Sequence, residues 1–448
     1  MNGYRVPLPW LLAGGVSASW LLACVGSSWG EIRAGDWVVT TQAAPVMDRG
    51  DTLATTEIGD VFAAEQTRDG WVLVTVFKDN VKIRGWIEPS QLITLDQTIT
   101  NLSQAIGEEP RNARLRRDRG TAYRIQRDFD RAIKDFDEAI RLDRGSSAAW
   151  FGRGLTYALK QDGCSRAIPD FSQAIRLDPE LADAWFQRGT AYLVTGELPL
   201  AMRDLDEAIR LRPQHAPAHA NRALCYYRKR ELDKAMADFQ AAARLNPQNA
   251  PAYDGMGWIY QDRGQLDRAL GAYNQAIEAD PSFGQAYNNR GNVFLTKGDL
   301  DRALADYERS IERDRRSPEP LNGRGVVHQR RGELAESLED FGQAIEIDPR
   351  HVKALRNRAL SYVRLGQYAA AEADFATAWD SQFGKRRRQQ EDDPTRPVWI
   401  GEATFPSGVT GVLGPLELVT VPTEPRIGPP LPVFPPSPAP RPAAPQIR

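Results

Sequence analysis

Apolar and small residues recur along most of the chain with a period of about 34 residues. A small residue is followed by an aromatic residue three positions on, an alanine twelve on, and an aromatic residue or leucine sixteen on. Four instances are Gly120, Tyr123, Ala132 and Phe136; Gly189, Tyr192, Ala201 and Leu205; Gly257, Tyr260, Ala269 and Tyr273; and Gly291, Phe294, Ala303 and Tyr307. Such a period indicates stacked supersecondary units, which form surfaces that hold other molecules.

Eight repeats fit this register. They begin near Ala113, Ser147, Ala182, Ala216, Ala250, Gly284, Pro318 and Val352. Each predicts two helices. Small residues at the eighth and twentieth places let these helices approach closely, and a proline near the thirty-second place ends the second helix. The turn between the helices carries glycine in five repeats, where we expect positive φ: Gly196, Gly264, Gly298, Gly332 and Gly366.

This pattern resembles the tetratricopeptide repeat over residues 113–378. The resemblance implies a mainly α fold, a right-handed α-solenoid of about eight repeats over residues 113–384. Repeat two departs from the pattern by one extra residue before Ala167, and Arg144 and Arg315 replace the terminating proline. Residues 96–112 resemble the second half of a further repeat and are predicted to cap the solenoid.

Residues 33–95 change to a period of two, with short apolar runs separated by turn residues. This predicts a small β-barrel. The order of runs, ending on Gly85, Trp86 and Ile87, resembles a bacterial SH3-like domain. The resemblance implies binding of peptides or cell-wall glycans on Trp37, Trp71 and Trp86. The alternative is that all three form the barrel core, which we favour because so small a module needs its aromatics there.

The first 30 residues predict export, because no charged residue lies between Arg5 and Glu31. Three fates stay open: cleavage after Gly30, lipidation of Cys24 in a sequence resembling a bacterial lipobox, or retention as a membrane anchor. All three place the rest of the chain outside the cytoplasm, in the periplasm, the cell envelope or the medium. At the other end, residues 385–448 are predicted to be a largely disordered tail, proline-rich from Pro422. Within it, residues 398–421 alternate weakly and could dock on the solenoid as strands.

The charge balance and the absence of catalytic motifs restrict the classes of function that the sequence allows. The 57 basic and 59 acidic residues nearly balance, which argues against nucleic acid as a partner. We expect Cys164 and Cys225 to be free, since they lie two repeats apart. No catalytic motif, cofactor motif or metal pattern is present in the sequence, and His215 and His219 lack an evident third ligand. We therefore predict a protein that is not an enzyme and holds no cofactor or metal.

The resemblance places the binding surface on the concave face, lined by the first helix of each repeat. Eight residues are predicted to contact a protein or peptide partner there: Phe151, Phe186, Tyr227, Trp258, Asn288, Asn292, Asn322 and Arg356. The aromatic side chains would hold apolar groups, and the exposed asparagine amides would pair with a peptide backbone. The predicted function is an exported scaffold that captures such partners. The alternatives are envelope attachment through the SH3-like module and an accessory subunit of an enzyme encoded elsewhere.

Overall fold

The computed structural model describes residues 32–387, apart from 49–50, 58–59, 69–70, 79–80 and 161–162. The predicted export segment with Cys24 and the tail from residue 388 therefore lie outside the described residues. The chain divides into two compact units: in the described part, the first ends at Pro247 and the second begins at Gln248.

The first compact unit begins with a strand-rich module consistent with an SH3-like domain. Its strands are β1 (Trp37–Thr40), β2 (Pro45–Asp48), β3 (Asp51–Thr55), β4 (Val61–Ala63), β5 (Gln66–Arg68), β6 (Trp71–Lys78), β7 (Val81–Ile87) and β8 (Leu92–Thr94). They form two antiparallel sheets, ordered β4-β1-β8 and β3-β2-β7-β6-β5. Val38, Val46, Val74 and Ile87 are fully buried between them. The alternation of the sequence therefore predicts this module correctly.

The three tryptophans of the module differ in their environment. Trp37 is partly buried and packs against a core that includes Leu95 and Leu102. Trp86 is also partly buried, whereas Trp71 is exposed on β6. The favoured expectation that all three form the barrel core is therefore wrong for Trp71.

The rest of the first compact unit is helical. Its helices are α1 (Leu95–Glu108), α2 (Ala113–Ile125), α3 (Phe129–Leu142), α4 (Ser147–Leu159), α5 (Cys164–Leu177), α6 (Ala182–Thr195), α7 (Leu198–Leu211), α8 (Ala216–Arg228) and α9 (Leu232–Leu245). Starting with α2, consecutive helices pack as the two members of one repeat. Helix α1 packs on α2 and on the sheets through a shared core of Val39, Val61, Leu102 and Leu115.

The second compact unit continues the same plan with four more helix pairs. They are α10 (Ala250–Asp262) with α11 (Leu266–Ala279), α12 (Gly284–Thr296) with α13 (Leu300–Arg313), α14 (Pro318–Arg331) with α15 (Leu334–Ile347), and α16 (Val352–Arg364) with α17 (Tyr368–Arg387). The described residues after β8 contain no strand. The prediction of eight repeats that form a tetratricopeptide-type solenoid is confirmed.

Local chemistry fixes the helix ends. All five turn glycines have positive φ, from 69° to 89°, as the sequence predicts. Arg127 and Arg230 occupy the same place in repeats one and four and also have positive φ, 65° and 63°. These two arginines therefore adopt a backbone conformation that is energetically unfavourable for residues with a Cβ atom.

Glycine at the eighth place allows close packing against the aromatic residue of the second helix. A Cβ atom on Gly154 would lie 2.8 Å from Cε1 of Phe171, and one on Gly325 would lie 2.6 Å from Cε1 of Phe341. Both distances are too short for a carbon contact, so a side chain at this place would force the two helices apart.

Candidate functional site

The structure buries seven of the eight residues predicted to bind a partner. Phe151, Phe186, Tyr227, Trp258, Asn288, Asn292 and Asn322 are buried, and Arg356 is half-buried. The expectation that the asparagine amides are exposed is therefore wrong. Neighbouring first helices pack more closely than the sequence suggested, so these side chains lie between helices.

The buried amides of the second compact unit form a polar seam, defined here as the hydrogen bonds that link polar side chains of consecutive first helices. The amide of Asn289 on α12 donates to Oδ1 of Asp254 on α10 at 2.9 Å. The amide of Asn357 on α16 donates to Oδ1 of Asn322 on α14, also at 2.9 Å. In both links the partners lie 35 residues apart, so the bond joins neighbouring repeats.

Two further groups complete the seam near the helix ends. Gln329 on α14 donates to the carbonyl of Asn357 and to the hydroxyl of Ser361, both on α16. Its own side-chain oxygen is buried without a hydrogen-bond partner in the described part of the chain. The guanidinium of Arg364 then donates to the backbone carbonyl of Gln329 at 3.0 Å.

The first compact unit has the same kind of link between α6 and α8. The amide of Asn221 donates to the hydroxyl of Thr190 at 2.9 Å. Arg228 donates to the carbonyl of Leu193, also at 2.9 Å. The polar seam therefore recurs in both compact units.

Asp254 is the most strongly perturbed acid of the seam. Its carboxyl is buried, and no cation contacts it among the described residues. Burial raises the pKa of Asp254 to about 7, although the Asn289 amide and the nearby Trp258 indole act in the opposite direction. The carboxyl is thus a buried group that the Asn289 amide and the Trp258 indole both face.

A second recurring polar feature is an ion pair that we call the arginine clamp. It joins an arginine at the seventh place of the first helix to an aspartate about 16 residues later on the second helix. In most cases two guanidinium nitrogens bond the two carboxylate oxygens, a geometry that favours arginine over lysine. The pairs are Arg119–Asp135, Arg153–Asp170, Arg188–Asp204, Arg222–Asp238, Arg290–Asp306, Arg324–Asp340 and Arg358–Asp374.

The arginine clamp also reaches the preceding repeat. The remaining nitrogen of Arg153 donates to Asp137, that of Arg188 to Ser172 and that of Arg290 to Asn274. Each of these three arginines therefore joins three helices. The apolar period does not predict the clamp, although its arginine and aspartate places are visible when polar positions are aligned in the same register.

Repeat five is the only described repeat without the clamp. Met256 stands at the arginine place and Ala272 at the aspartate place. Both members of the pair are replaced together, which avoids leaving one charge buried alone. The fold thus accepts an apolar pair at this position.

The histidines and cysteines have structural roles. Nδ1 of His215 accepts the hydrogen bond from the backbone N–H of Ala218 and so caps α8. Nε2 of His219 lies 3.0 Å from the carbonyl oxygen of Pro213. Neither Cys164 nor Cys225 forms a disulfide with a described residue, as predicted. Burial raises the pKa of the Cys225 thiol to about 12, which keeps it protonated.

Neither a metal site nor a membrane-spanning helix is found among the described residues. No group of histidine, cysteine and acidic side chains is arranged to hold a metal ion. None of the described helices combines the length and the apolar character that crossing a membrane requires.

Family models for the tetratricopeptide repeat match most of the helical region. One matches residues 96–147, 117–163, 154–215, 255–318 and 322–384, and a second matches residues 216–249. The chain belongs to the tetratricopeptide repeat family. Proteins of this family are generally scaffolds that bind protein or peptide partners. No curated protein matches the chain.

Solved structures with tetratricopeptide repeats also resemble the chain. YrrB, described as having an unusual peptide-binding site, is 25% identical, covers 40% of this chain and 92% of its own, and gives a TM-score of 0.32. MamA is 27% identical. The match covers 36% of this chain and 94% of MamA, with a TM-score of 0.33. A tetratricopeptide repeat protein from Parabacteroides merdae is 19% identical. The match covers 59% of this chain and 99% of that protein, with a TM-score of 0.47.

Proposed function

We propose that this tetratricopeptide repeat protein is an exported, non-enzymatic scaffold that captures a protein or peptide partner along its first helices. The observation that carries the proposal is the array of first helices, which belongs to a family whose members generally bind protein or peptide partners. The polar seam holds neighbouring first helices together. On α16 the side chain of Arg356 is only half-buried, so a partner can contact it.

The predicted contact residues take different roles in this proposal. Asn292 and Asn322 join helices, because Asn292 accepts from Tyr307 on α13 and Asn322 accepts from Asn357 on α16. Asn288 donates to its neighbour Asn289 within α12. Arg356 is half-buried and its guanidinium bonds Gln382 at 2.6 Å. Of the predicted set, Arg356 is the residue that a partner meets first. The aromatic residues Phe151, Phe186, Tyr227 and Trp258 support the first helices from between them.

Peptide display tests the binding proposal without knowledge of the natural partner. A random peptide library is selected against the full chain, and enriched peptides are measured by fluorescence anisotropy. We expect Arg356→Glu to weaken binding at least tenfold. The matched control is Arg141→Glu on the second helix α3, where the side chain is exposed and pairs only locally with Glu138.

The proposal fails if no peptide is enriched. It also fails if Arg356→Glu binds as the parent does, or if a chain lacking residues 32–94 loses all binding. The last result would move the site to the strand-rich module.

Export is the part of the proposal that rests on residues 1–30. An enzyme reporter that works only outside the cytoplasm, fused after Arg448, should be active, and removal of residues 1–30 should abolish its activity. Cys24→Ala should release the protein from the membrane if Cys24 is lipidated. A mature N-terminus at Glu31 would contradict lipidation.

Attachment to the cell envelope is a second candidate, favoured by the exposure of Trp71 on β6. Exposed aromatic rings are the usual platform for sugars and peptides. Sedimentation with purified peptidoglycan should then retain the protein, and Trp71→Ala should release it. Equal retention of the parent and the variant would rule out this role for Trp71.

A further inference from the structure

One aromatic position changes its environment at the end of the solenoid. The twenty-fourth place of each repeat lies on the second helix and carries an aromatic residue or leucine. In the first seven repeats this side chain is no more than 1% exposed: Phe136, Phe171, Leu205, Phe239, Tyr273, Tyr307 and Phe341. In repeat eight the equivalent side chain, Phe375 on α17, is 39% exposed.

Packing of the next repeat explains the burial of this residue elsewhere. Gly152 at the start of repeat two covers the ring of Phe136, since a Cβ atom on Gly152 would lie 2.5 Å from Cε1 of that ring. Gly323 covers the ring of Tyr307 in the same way. The first helix of a following repeat therefore closes over the aromatic residue. The described chain contains no helix after α17 to do so for Phe375.

The opposite end of the helical array is closed. Helix α1 packs on α2 and shares one core with β1 and β4. Leu102 and Leu115 are almost fully buried in this core. Among the described helices, only α17 carries an exposed residue at the twenty-fourth place of its repeat, and we call the side of α17 that carries Phe375 the end face.

The sequence that follows α17 contains an apolar segment close by. Residues 388–397 are polar or proline, and residues 398–421 then carry only two charged side chains, Glu402 and Glu417. The apolar members include Trp399, Phe405 and Leu413. From Pro422 onward the chain is rich in proline, which does not form a packed core.

Residues 388–397 form a linker that is long enough for residues 398–421 to reach Phe375. Ten extended residues span about 35 Å. The twelve residues between Phe375 and Arg387 make up about 18 Å of helix. A tethered segment also competes well against free partners, because a short linker gives an effective concentration on the order of millimolar.

We propose that residues 398–421 pack on the end face, cover Phe375, and so close the solenoid at its C-terminal end. The segment supplies the apolar surface that the first helix of a following repeat supplies elsewhere. The tether favours the protein's own segment over a second copy of the chain. This inference is independent of the partner proposed above.

Limited digestion of the full chain by chymotrypsin tests the proposal. This protease cleaves after Trp399, which is followed by Ile400, if the bond is accessible. We expect slow cleavage at this site in the parent and at least tenfold faster cleavage in Phe375→Asp. Thr377→Asp is the matched control: its side chain is exposed on the same helix, two positions away, and should leave the rate unchanged.

Truncation provides a second measurement that does not depend on a charged substitution. A chain that ends at Pro397 should melt several degrees lower than one that ends at Val421, and the latter should melt like the full chain. Equal cleavage rates in the parent and Phe375→Asp, or equal melting of the two truncated chains, would overturn the proposal. A parent dimer that Phe375→Asp converts to a monomer, with cleavage unchanged, would assign the end face to a second copy instead.

Discussion

The arginine clamp makes a sharp prediction at Arg290 and Asp306, which join α12 to α13. The two side chains meet at 2.6 Å, with 20% of the arginine and 6% of the aspartate side chain exposed. Arg290→Met leaves the carboxylate buried without its cation. Breaking a buried pair in this way costs about 3–5 kcal/mol, and the partial exposure of Arg290 places the expected loss near the lower limit.

Repeat five shows how the loss can be avoided. It carries Met256 and Ala272 at the same two places, so Arg290→Met combined with Asp306→Ala reproduces a natural arrangement. We expect this double variant to lose only about 1 kcal/mol, because replacing a buried pair by apolar residues is often nearly neutral. The coupling free energy, which is the sum of the two single losses minus the loss of the double variant, should therefore be at least about 2 kcal/mol.

Native-state hydrogen exchange is the suitable assay, because repeat arrays need not unfold in one step. Exchange of the α12 and α13 amides reports the local opening free energy for the parent, each single variant and the double variant. Arg309→Met is the control, since Arg309 is exposed on α13; it should cost at most about 0.5 kcal/mol. A double variant as unstable as Arg290→Met would refute the reasoning.

Three further predictions concern single sites. Between pH about 4 and 7 the folded protein keeps a proton on Asp254 that the unfolded chain has released, so stability should fall by up to about 4 kcal/mol as the pH rises through this range, and Asp254→Asn should flatten that fall in denaturant titrations. Asn292→Ala should cost about 1–3 kcal/mol in thermal unfolding, because the buried Tyr307 hydroxyl loses its acceptor, and adding Tyr307→Phe should restore most of it. Gly298→Arg should cost about 1 kcal/mol at positive φ, which is the strain that repeat one already carries at Arg127.

Each of these predictions has a result that contradicts it. A pH profile that keeps its slope in the Asp254 variant would show that another group titrates. Failure of Tyr307→Phe to rescue the Asn292 variant would mean that the amide acts through other contacts. Unchanged melting of the Gly298 variant would show that this turn relaxes without strain.

The repeat register could be derived from the sequence because each place has one dominant physical demand. Gly325 must be small to admit the ring of Phe341, and Gly332 must tolerate positive φ. These demands act within one repeat and recur eight times, so periodicity alone shows them. The strands of the first module follow from the alternation of apolar and polar residues, which is an equally local pattern.

The candidate site could not be derived in the same way. Whether Asn288 or Asn322 is exposed depends on how closely two neighbouring first helices pack, and the register of one repeat does not contain that distance. For this reason, the prediction that these asparagine side chains are exposed to solvent was wrong. The arginine clamp is not predicted for another reason: it occupies polar places of the register that belong neither to the apolar period nor to the concave-face places, and only the paired replacement by Met256 and Ala272 shows in the sequence that the two places are coupled.

Hydrogen exchange on the complex with a display-selected peptide tests the central claim, binding along the first helices, most directly. The account predicts that the bound peptide slows exchange in α12, α14 and α16, with Gln329 and Arg356 among the protected segments, and leaves α13 and α15 unchanged. Protection confined to the strand-rich module, or to the second helices, would contradict it.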